Sequence, residues 1–407
     1  MHRTAPTAPT LSAPPAGTRL RGRSAVGALT LALFAIVTSE ILPIGLLTPI
    51  GAEFGVADGT AGLMMTMPGL LAAVAAPTVT LATARVDRRL MLCALVLLLA
   101  VADFLTAAAT AYWLVLVARV LVGITIGGFW SIGAGLAGRL VRPASAGRAT
   151  AVIFAAVPLG SVLGVPAGTL IGDLTGWRTA FAVMGLLSTG ALALLLLTLP
   201  ALPPDGGTRP SVLVALLRGT GTRYALLLTF LIVMAHFATY TYVTPLLQRI
   251  TGAGPAQITV YLLIYGSAGV AGNFIGGTLV TRAPRLAFGA AAATIAAATA
   301  LLPVLGRTDA GALALLVVWG LGYGAVPVCS QTWFARAAPH APEAATVLFT
   351  ASFQVTLAAG ALTGGAIVDH TSLRTVMWCG AVAAALVVLV AWRTKEPAAV
   401  PPPPPGR

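Results

Sequence analysis

Apolar runs long enough to cross about 30 Å of hydrocarbon recur along the chain, separated by short polar gaps that carry arginine, glycine or proline. They predict helices at 25–50, 61–83, 90–110, 112–138, 149–172, 179–199, 224–248, 257–281, 286–305, 311–335, 344–368 and 375–392. The expected fold is an all-α membrane protein with twelve transmembrane helices. The gap at 200–223 is the longest and holds Pro200, Pro203, Pro204, Gly206 and Gly207. It divides the chain into six-helix sets at 24–199 and 224–392, flanked by a basic, disordered tail at 1–23 and a Pro-rich tail at 393–407. The sets echo each other at an offset of about 197 residues, the mark of an internal repeat. Arg85 pairs with Arg282, Arg139 with Arg336 and Asp173 with Asp369.

Composition narrows the class. Of the 407 residues 58% are hydrophobic and 9% charged, with a mean hydropathy of +0.94. An ordinary soluble domain has about a quarter of its residues charged, so a water-soluble fold is excluded. The net charge of +13 does not point to nucleic acid, because the basic residues fall between apolar spans rather than in one patch. Instead they set topology. The tails and the even-numbered gaps hold nearly all of them, whereas the odd gaps hold only Arg178, Arg249, Arg307 and Arg374. Arginine and lysine accumulate on the cytoplasmic side, so both termini are expected there. No small-residue cleavage site follows the first span, which reads as a retained helix rather than a signal peptide. Cys93, Cys329 and Cys379 match neither a disulfide framework nor a metal motif and are read as core residues.

Charges inside the spans are the scarce chemistry. Arg119 lies within ARVLVG of the fourth span. A guanidinium keeps its proton, so at a helix centre in hydrocarbon it costs roughly 2.5 kcal/mol or more unless it is paired. Only Glu40 and Asp103 lie far from a span end. A carboxylate near Arg119 is driven ionised by the cation and neutral by burial, which is what a proton-coupling site requires. Glu40, Asp103 and Arg119 come to similar depths, and Glu40 held by Arg119 is the expected proton carrier. No H-E-x-x-H, G-x-S-x-G or Walker loop is present, so the chain is not read as an enzyme and needs no nucleotide or metal. With no nucleotide site, energy is expected from an ion gradient.

Four segments resemble motifs of one family. These are SEILPIGLLTPIGAEFGV from Ser39, ARVDRRLML from Ala84, the ARVLVG stretch, and GSVLGVPAGTLIG from Gly160. Together they resemble the major facilitator superfamily, of the twelve-span drug:proton antiporter type, over nearly the whole chain. The resemblance implies two pseudo-symmetric six-helix bundles with a site between them near the midplane. The runs GGFWSIGAGLAGRLV, GDLTGWRTAF, FATYTYVTP and WGLGYGAVPVCSQTWFAR are similar to purine ribonucleoside efflux permeases and to sugar and chloramphenicol exporters. That implies a proton-coupled exporter of purine ribonucleosides such as inosine and guanosine in the bacterial inner membrane, acting as a monomer. Multidrug, chloramphenicol or sugar efflux is the alternative, and a transporter-derived sensor a further one.

Roles follow for further residues. Arg85, Asp87, Arg88 and Arg89 form a charge cluster that is expected to latch the halves, the alternative being a solvated loop that only sets topology. Gly160, Gly164, Gly168 and Gly172, with Pro166, make a bare face on span five. In the family this face lies against span eight, where Gly266, Gly269, Gly272, Gly276 and Gly277 form a matching surface. Candidate substrate contacts are Phe129, Trp130, His236, Tyr240, Tyr242, Asn273, Tyr323, Gln331 and Gln354, since aromatics stack on a flat base and amides or imidazole bond its edges.

Overall fold

The computed structural model describes residues 16–82, 86–133, 136–203 and 215–393. Arg85, the first part of the expected tail, the middle of the linker (204–214) and the C-terminal tail beyond Arg393 lie outside the described residues. Twelve helices are long and apolar enough to cross a membrane. We number them α1 Ala16–Phe54, α2 Leu63–Ala82, α3 Arg88–Ala107, α4 Tyr112–Gly133, α5 Ala156–Thr175, α6 Trp177–Thr198, α7 Thr220–Tyr240, α8 Pro255–Arg282, α9 Pro284–Leu305, α10 Asp309–Ala337, α11 Pro342–His370 and α12 Leu373–Arg393. Short helical pieces lead into α2, at Asp58–Ala61, and into α5, at Pro143–Phe154. No strand occurs among the described residues.

The helices lie where the apolar runs put them, because in hydrocarbon a segment must satisfy its own backbone groups. Three details differ from the sequence reading. Ala16 to Arg23 are helical and extend α1 into the expected tail. Span seven stops at Tyr240 and continues as a separate turn, Val243–Leu246, and a π-helical turn, Leu247–Thr251. Cys93 and Cys329 are buried, but Cys379 is exposed. It stands on the outer face of α12, where lipid accepts an apolar side chain as readily as a core does.

The repeat is visible in how helices touch. Gly123 of α4 meets the Pro68 carbonyl of α2, and Gly320 of α10 meets the Tyr265 carbonyl of α8. Gly127 and Gly324 make the matching contacts one turn on, with Ala72 and Gly269. Small residues allow this close approach where no hydrophobic force drives helices together. The bare face of α5 works the same way, but against a different partner from the one expected. Gly160 and Gly164 face Val37 and Thr38, Gly168 faces Leu42, and Gly172 faces Leu46. All four partners are on α1, inside the same bundle. On α8, Gly272, Gly276 and Gly277 likewise face α10, also in their own bundle, and only Gly266 meets α5, at Val162. Glycine spacing marks a close contact without naming the helix that makes it.

The bundles are fastened at the odd-gap end. Arg249 pairs with Asp58 at 2.6 Å, and the Gly59 N–H donates to Asp369 at 2.8 Å. Thr244 donates to the Ile44 carbonyl at 2.9 Å, and the hydroxyls of Thr169 and Thr259 share a 2.7 Å bond between α5 and α8. Tyr242 is fully buried here. Its hydroxyl donates to the Ala361 carbonyl and lies so close to Gly62 that any Cβ there would stand 2.0 Å from it.

Candidate functional site

Arg119 is fully buried, and no carboxylate pairs with it among the described residues. Its partners are backbone carbonyls: Nε donates to Met64 at 3.0 Å, Nη1 to Ser39 at 2.9 Å and Nη2 to Glu40 at 2.8 Å. Proline explains two of the three. Pro43 inside α1 has no N–H for the carbonyl four residues back, which is Ser39. Pro68 in α2 leaves the Met64 carbonyl open in the same way. The guanidinium fork supplies the missing donors and joins α1, α2 and α4. The expected carboxylate clamp on Arg119 is therefore corrected to a carbonyl cradle.

The acids are held elsewhere. Asp103 is buried and accepts from Ser39 of α1 and from Ser188 of α6 at 3.1 Å. It is anchored wholly inside the first bundle. Glu40 accepts at Oε1 from Gln354 Nε2 of α11 at 3.0 Å, so its carboxylate is held by the opposite bundle. Depth estimated along separate helices brought Glu40, Asp103 and Arg119 to one region but could not separate these two environments.

Five of the candidate contacts divide into a cluster and its approach. His236 stacks on Tyr323, with ring centroids 3.4 Å apart, and on Tyr240 at 5.0 Å. Its Nδ1 accepts from Trp319 Nε1 at 3.1 Å, while Nε2 is buried without a partner. Tyr265 stacks on Tyr240 at 4.7 Å. Phe237 and Phe353 continue the line of rings to Phe349. That residue lines a cavity of about 280 Å³ between α10 and α11, together with Gln331 and Thr332. Gln354, one residue beyond Phe353, connects this aromatic line to Glu40. The sequence reading missed Trp319 and Tyr265. The spacing of Trp319 to Tyr323, like that of His236 to Tyr240, is one helical turn and was the available signal.

The remaining candidates lie apart. Trp130 packs on Phe154 at 5.8 Å, and Phe129 is buried in the core of the first bundle. Tyr242 belongs to the odd-gap seal. Asn273 is half-buried, two turns from Gly266 along the same face of α8. At the opposite end, Asp87 caps α3 by accepting from Arg89 N at 2.7 Å and accepts from Leu202 N at 3.1 Å. The Arg88 N–H donates to the Leu202 carbonyl and Arg89 Nη2 to that of Leu196. These bonds tie the exit of α6 to α3, not one bundle to the other.

The sequence profile of the Major Facilitator Superfamily matches residues 29–347. The chain belongs to that superfamily. It is a multi-pass membrane protein built as two six-helix bundles. This superfamily member is 34% identical over 388 residues to a protein of Pseudomonas aeruginosa (strain PAO1) named transcription regulatory protein OpdE, covering 92% of this chain and 95% of that one. It is 30% identical over 355 residues to the purine ribonucleoside efflux pump NepI of Escherichia coli (strain K12), covering 86% and 89%. Among solved structures, a bacterial homologue of the human lysosomal transporter Spinster, in an inward-facing and unoccupied conformation, superposes with a TM-score of 0.71. That match has 17% identity and covers 91% of this chain and 95% of the other; at such identity it speaks for the fold alone.

Proposed function

We propose that this protein is a proton-coupled exporter of flat, polar small molecules, purine ribonucleosides such as inosine and guanosine first among them. It works by alternating access as a monomer in a bacterial inner membrane, with both termini and the 200–223 linker cytoplasmic and the proton gradient as its energy source. The odd-gap seal is then the outer gate, and the protein is closed to the outside. One observation carries the reading: Glu40, a buried acid, bonds across the bundle interface to a helix that also bears the ring line leading to His236. Its protonation and the occupancy of that site are thereby mechanically connected. The likeness to NepI supports the substrate class, and arginine in the even gaps supports the orientation.

Transport in proteoliposomes tests it. Labelled inosine should accumulate against its gradient when protons are supplied from the opposite side, and toxic purine nucleosides should be tolerated by cells overexpressing the protein. Tolerance to phenicols without any to nucleosides would favour drug efflux instead. The likeness to a protein named as a transcription regulator favours one second reading, a sensor on a transporter fold. Binding of inosine without counterflow would identify it.

A further inference from the structure

We infer that the Glu40–Gln354 hydrogen bond is a lock that keeps the empty, deprotonated protein from reorienting, and that Gln354 is the residue that reads the proton on Glu40. The inference rests on the proton-coupled reading above. An exporter that exchanges protons for substrate must move when it carries one or the other and stay still when it carries neither; otherwise protons leak inward with nothing exported. A device with that logic has to sit between the bundles, contain the titrating group and be open to displacement by substrate. The Glu40–Gln354 contact meets all three conditions.

Both side chains are nearly enclosed, with 7% of Glu40 and 6% of Gln354 exposed. An ionised carboxylate only accepts hydrogen bonds, and the Gln354 amide N–H₂ gives it one at 3.0 Å. This bond is charge-assisted and roughly twice as strong as a neutral one. The other end of the amide is unused: Gln354 Oε1 is buried and has no donor. A protonated Glu40 carries an O–H that needs an acceptor, and the Gln354 amide can turn about its last torsion, which is broad and roughly two-fold, to offer Oε1. The proton thus replaces a charged tie by a neutral one. Substrate acts from the other side, since a hydroxyl or ring N–H entering along the Phe349–Phe353 line can take the place of Nε2 on the carboxylate.

The surrounding groups leave this contact as the variable one. Arg119 of α4 lies within electrostatic reach of Glu40, but its donors are committed to the carbonyls of Ser39, Glu40 and Met64. Asp103 of α3 is fixed by Ser39 and Ser188. The Tyr323 phenol of α10 lies within electrostatic reach of Glu40, and His236 of α7 is turned to Trp319. Gln354 is the side chain that holds Glu40 from the opposite bundle.

Proton leak without substrate is the decisive measurement. In substrate-free proteoliposomes carrying Gln354→Met, an imposed pH gradient should collapse at least about tenfold faster than with the wild type, because methionine has no donor and the whole charge-assisted bond to the carboxylate is lost. Inosine counterflow at equal pH is measured alongside, as the check that the variant is folded and still exchanges substrate. The leak must pass through Glu40, so Glu40→Gln added to Gln354→Met should abolish it. If the wild type couples inosine to protons and Gln354→Met remains as tight as the wild type, the lock is overturned. A leak that survives the double substitution overturns it as well. Failure of the wild type to couple at all would instead remove the antiport reading beneath it. Should Gln354→Met lose counterflow, Gln354→Asn, whose amide is withdrawn by one methylene, carries the same expectations.

Discussion

Arg119 donates to the Ser39 carbonyl at 2.9 Å, and that carbonyl is open because Pro43, four residues on, has no N–H to give it. The most expensive side chain in the membrane is thus stabilised by backbone that proline has left unpaired. The same geometry recurs at Met64 and Pro68, and the two prolines and one arginine form a single unit.

That unit predicts a rescue. Arg119→Ala strips donors from buried carbonyls, each worth roughly 1–3 kcal/mol, and should lower the thermal midpoint in detergent by several degrees. Pro43→Ala returns a helical N–H to Ser39. Combined with Arg119→Ala it should recover part of the loss, whereas alone it should change stability little. Strict additivity of the two substitutions would refute the shared carbonyl.

The acids should separate by role. Glu40→Gln is expected to abolish proton-driven export while leaving inosine counterflow, because the neutral amide stands in for the protonated acid. Asp103→Asn keeps a hydrogen-bonding group between Ser39 and Ser188, so coupling should persist with about 1 kcal/mol of stability lost. Full coupling in Glu40→Gln together with loss in Asp103→Asn would reverse these assignments.

Gly164 of α5 and Gly266 of α8 predict different defects. A Cβ at Gly164 comes within 3.3 Å of the Thr38 backbone inside one bundle, so Gly164→Leu should lower thermal stability and leave the ratio of protons to substrate unchanged. A Cβ at Gly266 comes within 2.9 Å of Val162 Cα across the interface. Gly266→Leu should alter the counterflow rate with a smaller effect on the melting temperature. Equal effects of both on rate and stability would sink the distinction.

The odd-gap seal is the third contact to test. At Gly59 a Cβ would stand 2.3 Å from the Gly365 carbonyl and 2.5 Å from Asp369 Cγ. Gly59→Val should therefore wedge this end open, raising the labelling of a cysteine placed at the buried Thr244 by an impermeant thiol reagent. Arg249→Ala removes a half-exposed ion pair worth at most about 1 kcal/mol and should raise labelling less. No change with Gly59→Val would mean the seal yields without opening.

The sequence by itself determined the membrane setting, the twelve spans, the repeat and the scarcity of buried charge. Each of these follows from local apolar runs and from the price of burying arginine or glutamate, and neither depends on which helices meet. Pro43 and Pro68 were also legible as donors removed from Ser39 and Met64, though the arginine that replaces them was not. Only the tertiary structure decided that Arg119 holds carbonyls rather than an acid, that the α5 glycines face α1, that Tyr242 is buried against Gly62 and the Ala361 carbonyl, and that Gln354 holds Glu40. A helix sequence fixes which residues share a face. Which neighbour that face meets is decided by how twelve similar cylinders assemble, because in lipid no difference in hydrophobicity sorts one apolar face from another.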